Sequence, residues 1–259
     1  MSSERKEYWN RSYLEYWKSR VDEAAPGGQP SAVIAGDAAT EDDAVYEAVF
    51  REHPPRAGSV LDVGCAWGRM FGVFKRMGLK ITGVDISQAM IEQARVNWSG
   101  DADVVELREC EAEGIPFADG QFDNVACLAV FDATYQDQAL AQYLRVLRTD
   151  GLLFLTGKND FYPDDDTLAM QAEIGARGKG HPNYFTDTAS MLAQLKAQGQ
   201  AVLATYFFAR RGDFGAFKFT REMPERYYEY FVVVQKKAQP QPFMPFSDSR
   251  SRTFRERQP

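Results

Sequence analysis

The most constraining feature of the chain is a short apolar run that leads directly into a turn of small residues. A buried strand is predicted for residues 60–63, and the turn Gly64-Cys65-Ala66-Trp67-Gly68 follows it, before a helix that begins near Met70. Small residues allow the backbone to turn tightly and to approach a ligand closely. The sequence therefore predicts a strand, a ligand-binding turn and a helix in direct succession.

Strands and helices alternate after this turn. Further strands are predicted at 80–85, 103–107, 122–130 and 152–156, and helices at 70–77, 88–98 and 139–147. This alternation is typical of a parallel, doubly wound sheet. Helices at about 165–177 and 188–198 precede two late strands, 201–209 and 227–236, which are expected to form an antiparallel pair. We predict an α/β fold with a sheet of about seven strands.

Aromatic side chains dominate the first segment of the chain. A helix is predicted over about 4–24, with Tyr13 and Trp17 on its aromatic face. Such a helix suits either packing on the core or a lid over a ligand, and both residues are candidates for substrate contact. A break at 26–30 separates it from a second predicted helix over about 40–52.

These boundaries predict three parts. They are an N-terminal helical lid over 1–56, a main domain over 57–237 with substrate insertions near 158–200 and 210–227, and a flexible or docking tail over 238–259. The tail is rich in proline and polar residues, so we expect it to add nothing to the core. Phe243, Phe246 and Phe254 would suit docking onto a second copy of the chain, in a homodimer.

Charge and cysteine usage exclude several classes of function. The 259 residues include 30 Lys and Arg against 37 Asp and Glu, for a net charge of −7. An acidic surface repels phosphate backbones, which argues against nucleic acid as a partner. The three cysteines lack CxxC spacing and there are two histidines, which argues against a bound metal and fits a reducing compartment. Because no signal peptide or membrane-length apolar run is visible, we expect a soluble cytoplasmic protein without a membrane partner.

Two acidic residues indicate which ligand the turn accepts. Dinucleotide-binding turns read G-x-G-x-x-G, but here Ala66 and Arg69 occupy the second and third glycine positions. Asp62, two residues before the first glycine, suits a positively charged amino-acid moiety and would repel a pyrophosphate. Asp85, at the end of the next strand, would accept hydrogen bonds from both hydroxyls of a ribose.

Together these features resemble the class I S-adenosylmethionine-dependent methyltransferases over about residues 59–156. VLDVGCAWG is similar to the first motif of that family, with Ala66 in place of the usual second glycine, and TGVDIS is similar to its second-strand acidic motif. The stretches 111–117 and 119–123 resemble the third-strand loop and the entry to strand four, and 144–151 resembles the turn before strand five. The resemblance implies a Rossmann-like fold, an enzyme and S-adenosyl-L-methionine as cofactor.

The resemblance also implies which residues bind that cofactor. Glu111 would hold the adenine amino group, with Glu in place of the more common Asp, and the backbone of Ala112 would meet the ring. Ile86 and Met90 are candidates for adenine contacts or for packing. The full set of cofactor-binding candidates is Asp62, Gly64, Cys65, Ala66, Gly68, Asp85, Ile86, Met90, Glu111, Ala112, Leu128 and Ala129.

The methyl acceptor is less constrained by the sequence. An alcohol needs a base near its proton, whereas a neutral amine attacks with little help. His181, in a loop after the fifth strand, is the candidate catalytic base; the alternative is a hydrogen-bonded loop histidine. The acidic run 164–166 is expected to begin a helix rather than to bind a metal. Further substrate-contact candidates are Tyr162, Arg210 and Arg211.

We therefore expect an S-adenosylmethionine-dependent methyltransferase that acts on a small molecule, O-methylating the hydroxyl of a sugar or sugar nucleotide. Two alternatives stay open at this point. One is N-methylation of a small-molecule or peptide amine. The other is a non-catalytic module that binds S-adenosylmethionine without methyl transfer.

Overall fold

The computed structural model describes residues 2–13, 41–178, 180, 181 and 183–248. The helices are α1 (Ser2–Glu7), a π-helical turn (Tyr8–Tyr13), α2 (Glu41–Glu52), α3 (Phe71–Arg76), α4 (Gln88–Asn97), a 3₁₀ turn (Phe131–Ala133), α5 (Gln136–Val146), α6 (Thr167–Gly178) and α7 (Thr188–Ala197). The strands are β1 (Ser59–Val63), β2 (Lys80–Asp85), β3 (Val104–Glu109), β4 (Phe122–Cys127), β5 (Leu147–Lys158), β6 (Phe185–Thr186), β7 (Ala201–Phe208), β8 (Glu229–Gln235) and β9 (Ser247–Asp248).

Seven of these strands form one mixed sheet in the order β3-β2-β1-β4-β5-β8-β7. Strands β1 to β5 pair in parallel, and β8 runs antiparallel to both β5 and β7. The strand order reverses between β1 and β4, which is where doubly wound sheets place their ligands. The predicted fold class, including the late antiparallel pair, is confirmed.

The sheet separates two apolar layers, because successive residues of a strand point to opposite faces. On β5, Leu153 and Leu155 belong to one buried cluster, whereas Leu152 and Phe154 belong to the other. Helix α5 packs on the first layer, and α2 and α3 pack on the second. A strand buried on both faces reads as a continuous apolar run, which is why the central strands could be located from the sequence.

The first segment departs from its predicted form. The helix expected over 4–24 is α-helical only to Glu7 and then π-helical to Tyr13. Residues 14–40, which include Trp17, the predicted break at 26–30 and Thr40, lie outside the described part of the chain. The second predicted helix begins at Glu41.

The first part of the tail packs into the core, although the sequence analysis predicts a tail that adds nothing to it. Phe243 and Phe246 are buried in the first apolar layer, and β9 pairs with β6. Three glutamines at the end of α7 and just after it exchange hydrogen bonds with the tail backbone: Gln194 with Met244, Gln198 with Gln241, and Gln200 with Ala238. Amino-acid composition does not show which backbone groups will bond to side-chain amides. The prediction that the tail adds nothing to the core is therefore wrong for residues 238–248. Phe254 lies outside the described residues.

Replacing Phe246 by alanine should therefore destabilise the fold. We expect Phe246→Ala to lower the free energy of unfolding by about 3 kcal/mol, the usual cost of deleting a buried aromatic side chain. Met244→Ala, two residues earlier and 72% exposed, should change it by less than about 0.5 kcal/mol. Urea denaturation measures both. Equal stability of the two variants would contradict the packed tail.

Candidate active site

The small-residue turn follows β1 in the chain and is hydrogen-bonded to the carboxyl end of β2. The backbone N–H groups of Gly64 and Cys65 both donate to the carbonyl oxygen of Val84, at 2.8 and 3.0 Å. Gly64 has a φ of +73°, and a Cβ built there would lie 2.4 Å from a methyl carbon of Val130. Glycine is thus required at this position by the turn and by its neighbour, before any ligand is considered.

The carboxylate of Asp85 holds the turn in place. One oxygen accepts a hydrogen bond from the Ala66 N–H at 2.9 Å, and the other accepts from the Ser87 N–H at 2.8 Å. Ser87 in turn caps α4, where its hydroxyl accepts from the Met90 N–H. One side chain therefore ties the turn after β1 to the start of α4. A carboxylate oxygen has a second lone pair, so both oxygens can still accept from a ligand.

Two alanines at this edge of the sheet adopt left-handed backbone conformations. Ala66 has a φ of +48° and Ala129 a φ of +58°, a region that costs an L-residue about 1–2 kcal/mol. Ala66 is held by Asp85, and the N–H of Ala129 donates to the Thr156 hydroxyl at 2.6 Å. Strained residues that neighbouring groups hold in place are a mark of ligand-binding sites.

These elements surround a main cleft. Ten of the twelve cofactor-binding candidates line it, and they are Asp62, Gly64, Cys65, Ala66, Asp85, Ile86, Met90, Ala112, Leu128 and Ala129. Gly68 and Glu111 are not among the lining residues. A Cβ on Gly68 would meet the Trp98 ring, so this glycine serves packing. The Glu111 carboxylate faces Arg5, at 3.3 Å.

Two carboxylates give the main cleft its electrostatic character: Asp62, which is buried, and Asp85, which is partly exposed. Burial raises the pKa of Asp62 to about 7, and the nearby Asp85 charge adds to the rise. Burial also raises the pKa of Asp85 to about 6, against the opposing effect of its two backbone hydrogen bonds. Within the described part of the chain, one Asp62 oxygen accepts no hydrogen bond. A buried carboxylate oxygen without a hydrogen bond destabilises the fold, and a cationic ligand group beside it would offset that cost.

The N-terminal segment contributes two residues to the wall of the main cleft. Arg5 is buried and makes a bidentate ion pair with Glu113, with nitrogen–oxygen distances of 2.7 and 2.8 Å. The Asn10 side-chain oxygen accepts from the Ser87 hydroxyl at 2.9 Å. Arg5 and Trp9 both line the cleft. Sequence reasoning missed Arg5 and Glu113, because the partners are 108 residues apart and each looks like an ordinary surface charge.

A side pocket adjoins the main cleft. The two cavities share Trp9, Tyr46, Ala129 and Ala133 as lining residues. The residues that line only the side pocket are Asp132, Thr156, Gly157, Lys158, His181, Phe214 and Glu229. The left-handed turn at Ala129 therefore lies at the junction of the cavities, and the predicted base His181 lies in the pocket.

A buried ion cluster forms one wall of the side pocket. The Lys158 ammonium lies 3.0 Å from an Asp132 oxygen and 3.8 Å from a Glu173 oxygen. Burial alone would lower the pKa of Lys158, but Asp132 and then Tyr228 and Glu173 raise it well above its usual value. Burial would raise the pKa of Asp132, but Lys158 and then His181 lower it. Asp132 and Lys158 are thus charged at neutral pH. Lys158 comes two residues after the predicted fifth strand, 152–156, and this position is the sequence signal for the wall.

Of the substrate candidates whose side chains are described, Tyr162, Arg210 and Arg211 line neither cavity. Tyr162 is buried against Tyr228, and Arg210 forms a bidentate pair with Asp165. Arg211 donates to the Tyr228 hydroxyl at 3.3 Å. Trp17 lies outside the described residues, and only the backbone of Tyr13 is described. In the predicted acidic run, Asp166 accepts from the Ala169 N–H and begins α6.

The comparisons with known proteins agree with this geometry. Residues 61–155 match the sequence profile of the methyltransferase domain family. This stretch is similar to a methyltransferase domain and covers less than half of the chain. S-adenosylmethionine is the cofactor that the sequence resemblance predicts. The main cleft fits this cofactor. The unsatisfied carboxylate of Asp62 suits its cationic part, and the carboxylate of Asp85 suits its ribose hydroxyls.

Relatives of the domain act on different substrates. A malonyl-[acyl-carrier protein] O-methyltransferase of Enterobacter lignolyticus is 31% identical over 58% of this chain and 58% of its own length. A phosphatidylethanolamine N-methyltransferase of Cereibacter sphaeroides is 28% identical over 52% of this chain and 66% of its own length. The chain spans less than two thirds of the length of the first curated relatives it matches.

A solved structure shows the same fold over most of the chain. Magnesium protoporphyrin IX methyltransferase of Synechocystis PCC 6803, solved with bound SAH, has a TM-score of 0.58. It is 19% identical, and the match covers 92% of this chain and 100% of that one. None of the described helices is long and apolar enough to cross a membrane.

The burial of Asp62 predicts a pH dependence of stability without ligand. In the folded chain its pKa is about 7, whereas an unfolded Asp titrates near about 3.9. Between these values the folded state binds more protons, so the free energy of unfolding falls as pH rises. Asp62→Asn should remove up to about 1 kcal/mol per pH unit of that decline. Urea titrations from pH 4.5 to 8 measure it, with Asp119→Asn as a surface control. An unchanged slope would contradict the assignment.

The left-handed conformation of Ala66 predicts that glycine is preferred there. Ala66→Gly should raise the free energy of unfolding by about 0.5–1 kcal/mol, because relief of strain exceeds the entropy that glycine loses on folding. Ala102→Gly, an exposed alanine outside the left-handed region, should lower it by a few tenths of a kcal/mol. Thermal denaturation compares the two. A stability loss in both variants would show that Ala66 is unstrained.

Proposed function

We propose that the protein is a methyltransferase that transfers a methyl group from S-adenosylmethionine to a small molecule held in the side pocket. The observation that carries this proposal is the junction of the two cavities at Ala129, beside Trp9, Tyr46 and Ala133. A donor in the main cleft and an acceptor in the side pocket would meet there. Methyl transfer is an in-line displacement, in which the protein contributes mainly proximity and orientation.

The proposed cofactor contacts follow from the charges of the main cleft. S-adenosylmethionine supplies an electrophilic methyl group on a sulfonium. Asp85 would accept hydrogen bonds from the ribose hydroxyls, while Asp62 would balance the positive charge of the methionine moiety. Arg5, which pairs with Glu113, would close the cleft on the solvent side and exclude water.

The acceptor that the side pocket supports best is a hydroxyl of a small polyhydroxylated molecule. Three aromatic residues, Trp9, Tyr46 and Phe214, line the pocket, and so do the charged residues Asp132, Lys158 and Glu229. Aromatic faces suit the C–H face of a sugar ring, and carboxylates accept from its hydroxyls. Support for the nucleotide part of a sugar nucleotide is lacking, since Arg210 and Arg211 pair within the chain.

His181 is the proposed general base for that hydroxyl. It lines the side pocket together with Lys158, whose ammonium would stabilise the developing alkoxide. The base would accept the hydroxyl proton as the oxygen attacks the methyl carbon. Positive charge on the sulfonium is lost in the same step, and His181 leaves the step protonated.

An amine acceptor is the second candidate, and the same pocket gives it some support. The carboxylates of Asp132 and Glu229 lie with three aromatic rings around the pocket, and such surroundings also bind a protonated amine. An amine would become reactive once it lost its proton, and would then need no base during attack.

Removing the Asp85 carboxylate should weaken cofactor binding. Asp85→Ala loses up to two charge-assisted hydrogen bonds to the ribose and releases the Ala66 turn, so affinity for S-adenosylmethionine should fall at least about tenfold. Isothermal titration calorimetry measures the affinity directly. Asp103→Ala, a control on the β3 side of the sheet that pairs with Lys80, should bind as wild type does. Affinity of the Asp85 variant within twofold of wild type would remove Asp85 from the cofactor site.

Loss of His181 should separate the two acceptor classes. With a hydroxyl acceptor, His181→Ala should lower turnover about 10²–10⁴-fold and leave cofactor affinity unchanged. The assay is S-adenosylhomocysteine formation over a panel of sugars and amines between pH 5.5 and 8.5. Wild-type turnover of a hydroxyl should fall as pH drops through the histidine pKa. His53→Ala, which lines neither cavity, is the control. Normal turnover of the His181 variant at every pH would favour the amine.

A further inference from the structure

The hydroxyl of Thr156 lies at the junction of the two cavities. Thr156 is 5% exposed and lines the side pocket. Its oxygen accepts a hydrogen bond from the N–H of Ala129 at 2.6 Å, and Ala129 lines both cavities. The Thr156 oxygen is therefore held against a residue that the methyl donor and the methyl acceptor would both meet.

The bond to Ala129 leaves the hydroxyl proton of Thr156 without an acceptor. A threonine hydroxyl donates one hydrogen bond and also has two lone pairs, and the Ala129 N–H occupies one of those lone pairs. Among the residues that the structure describes, this N–H is the only hydrogen-bond partner of the Thr156 side chain. A buried donor without an acceptor destabilises the fold, so the hydroxyl suits a ligand atom that can accept.

The polar residues Thr156 and Lys158 lie on one face of β5. Side chains alternate between the two faces of a strand, so these residues continue the row of Leu152 and Phe154, which are buried in the second apolar layer. Thr156 and Lys158 both line the side pocket. The row thus changes from apolar to polar where the strand reaches the pocket, and it brings a hydroxyl and an ammonium there as donors.

We propose that Thr156 is a catalytic residue that selects a hydroxyl acceptor: its O–H donates to the acceptor oxygen and directs the attacking lone pair toward the methyl carbon. This rests on the proposed function. The acceptor oxygen has two lone pairs, so one accepts from Thr156 while the other forms the bond to carbon. The acceptor proton passes to the proposed base His181, and the electron pair of the broken carbon–sulfur bond stays on sulfur. As the proton leaves, the oxygen gains negative charge and its bond to Thr156 strengthens.

The same arrangement disfavours an amine acceptor. A neutral amine nitrogen has a single lone pair, which it needs for the attack on the methyl carbon. It cannot accept from Thr156 at the same time, so the threonine donor stays unpaired during the reaction of an amine. Sites that leave a buried polar group unpaired with the wrong substrate discriminate strongly against it. Thr156 therefore favours the hydroxyl over the amine as acceptor.

A purely structural role would use only the lone pair that Ala129 occupies. Thr156 would then hold the left-handed backbone of Ala129, and its loss would disturb the cofactor site and the acceptor site alike. Valine has nearly the shape of threonine but neither donates nor accepts, whereas serine does both. The two roles therefore differ in what Thr156→Val changes. The catalytic role predicts a loss in hydroxyl methylation alone, and the structural role predicts losses in cofactor binding and with every acceptor.

The first test compares turnover with binding. With a sugar of the panel that wild type methylates, Thr156→Val should lower kcat about tenfold, the effect of one hydrogen bond, and leave KM within about threefold. Calorimetry should show nearly unchanged affinity for S-adenosylhomocysteine, and Thr156→Ser should restore kcat. Thr82→Val, at a buried threonine on β2 that lines neither cavity, is the matched control. An unchanged kcat in Thr156→Val, or an equal loss of cofactor affinity, would overturn the proposal.

The second test measures the preference for oxygen over nitrogen. The acceptor is the aminodeoxy form of the same sugar, with an amine in place of the methylated hydroxyl, assayed at the alkaline end of the pH range. Wild type and Thr156→Val should turn it over at equal rates, because the amine makes no use of the threonine donor. Equal losses with the hydroxyl and the amine would overturn the proposal. A wild type that methylates no sugar of the panel would instead overturn the proposed hydroxyl acceptor, and the role of Thr156 with it.

Discussion

The Asp85 carboxylate is the interaction on which the rest of the site depends. Its two oxygens accept from the backbone of Ala66 and Ser87, so one side chain fixes both the turn after β1 and the start of α4. The backbone of Ala66 adopts a strained left-handed conformation, and the hydrogen bond to Asp85 holds it there. The cost of burying the charge appears in the raised pKa of Asp85, about 6. A cofactor with ribose hydroxyls and a positive charge would offset that cost.

The two cavities also differ in the charged groups that line them. In the main cleft, burial and then the nearby Asp85 charge raise the pKa of Asp62 to about 7. In the side pocket, Lys158 keeps Asp132 charged and is itself kept charged. The first arrangement suits a cation, whereas Asp132 in the second already faces Lys158. That pairing suits a neutral acceptor, which is why a hydroxyl leads the proposal.

The sheet and most of the main cleft could be predicted because their signals are local in sequence. Buried strands read as apolar runs, and the turn at Gly64 requires small residues within five positions of β1. Arg5 and Glu113, or Tyr8 and His181, pair across more than a hundred residues, and no local pattern marks such partners. The opposite happened with Arg210 and Arg211, for which the local sequence suggested a role that distant partners take up. Their charge suggested contact with a ligand, but they are hydrogen-bonded to Asp165 and Tyr228.

The central claim is that a donor in the main cleft faces an acceptor in the side pocket across Ala129. A crystal structure with S-adenosylhomocysteine tests it most directly. The account predicts the ribose hydroxyls within hydrogen-bonding distance of the Asp85 carboxylate, and the sulfur at the junction lined by Ala129 and Trp9. Product bound with its sulfur away from that junction, or with its ribose away from Asp85, would contradict the account.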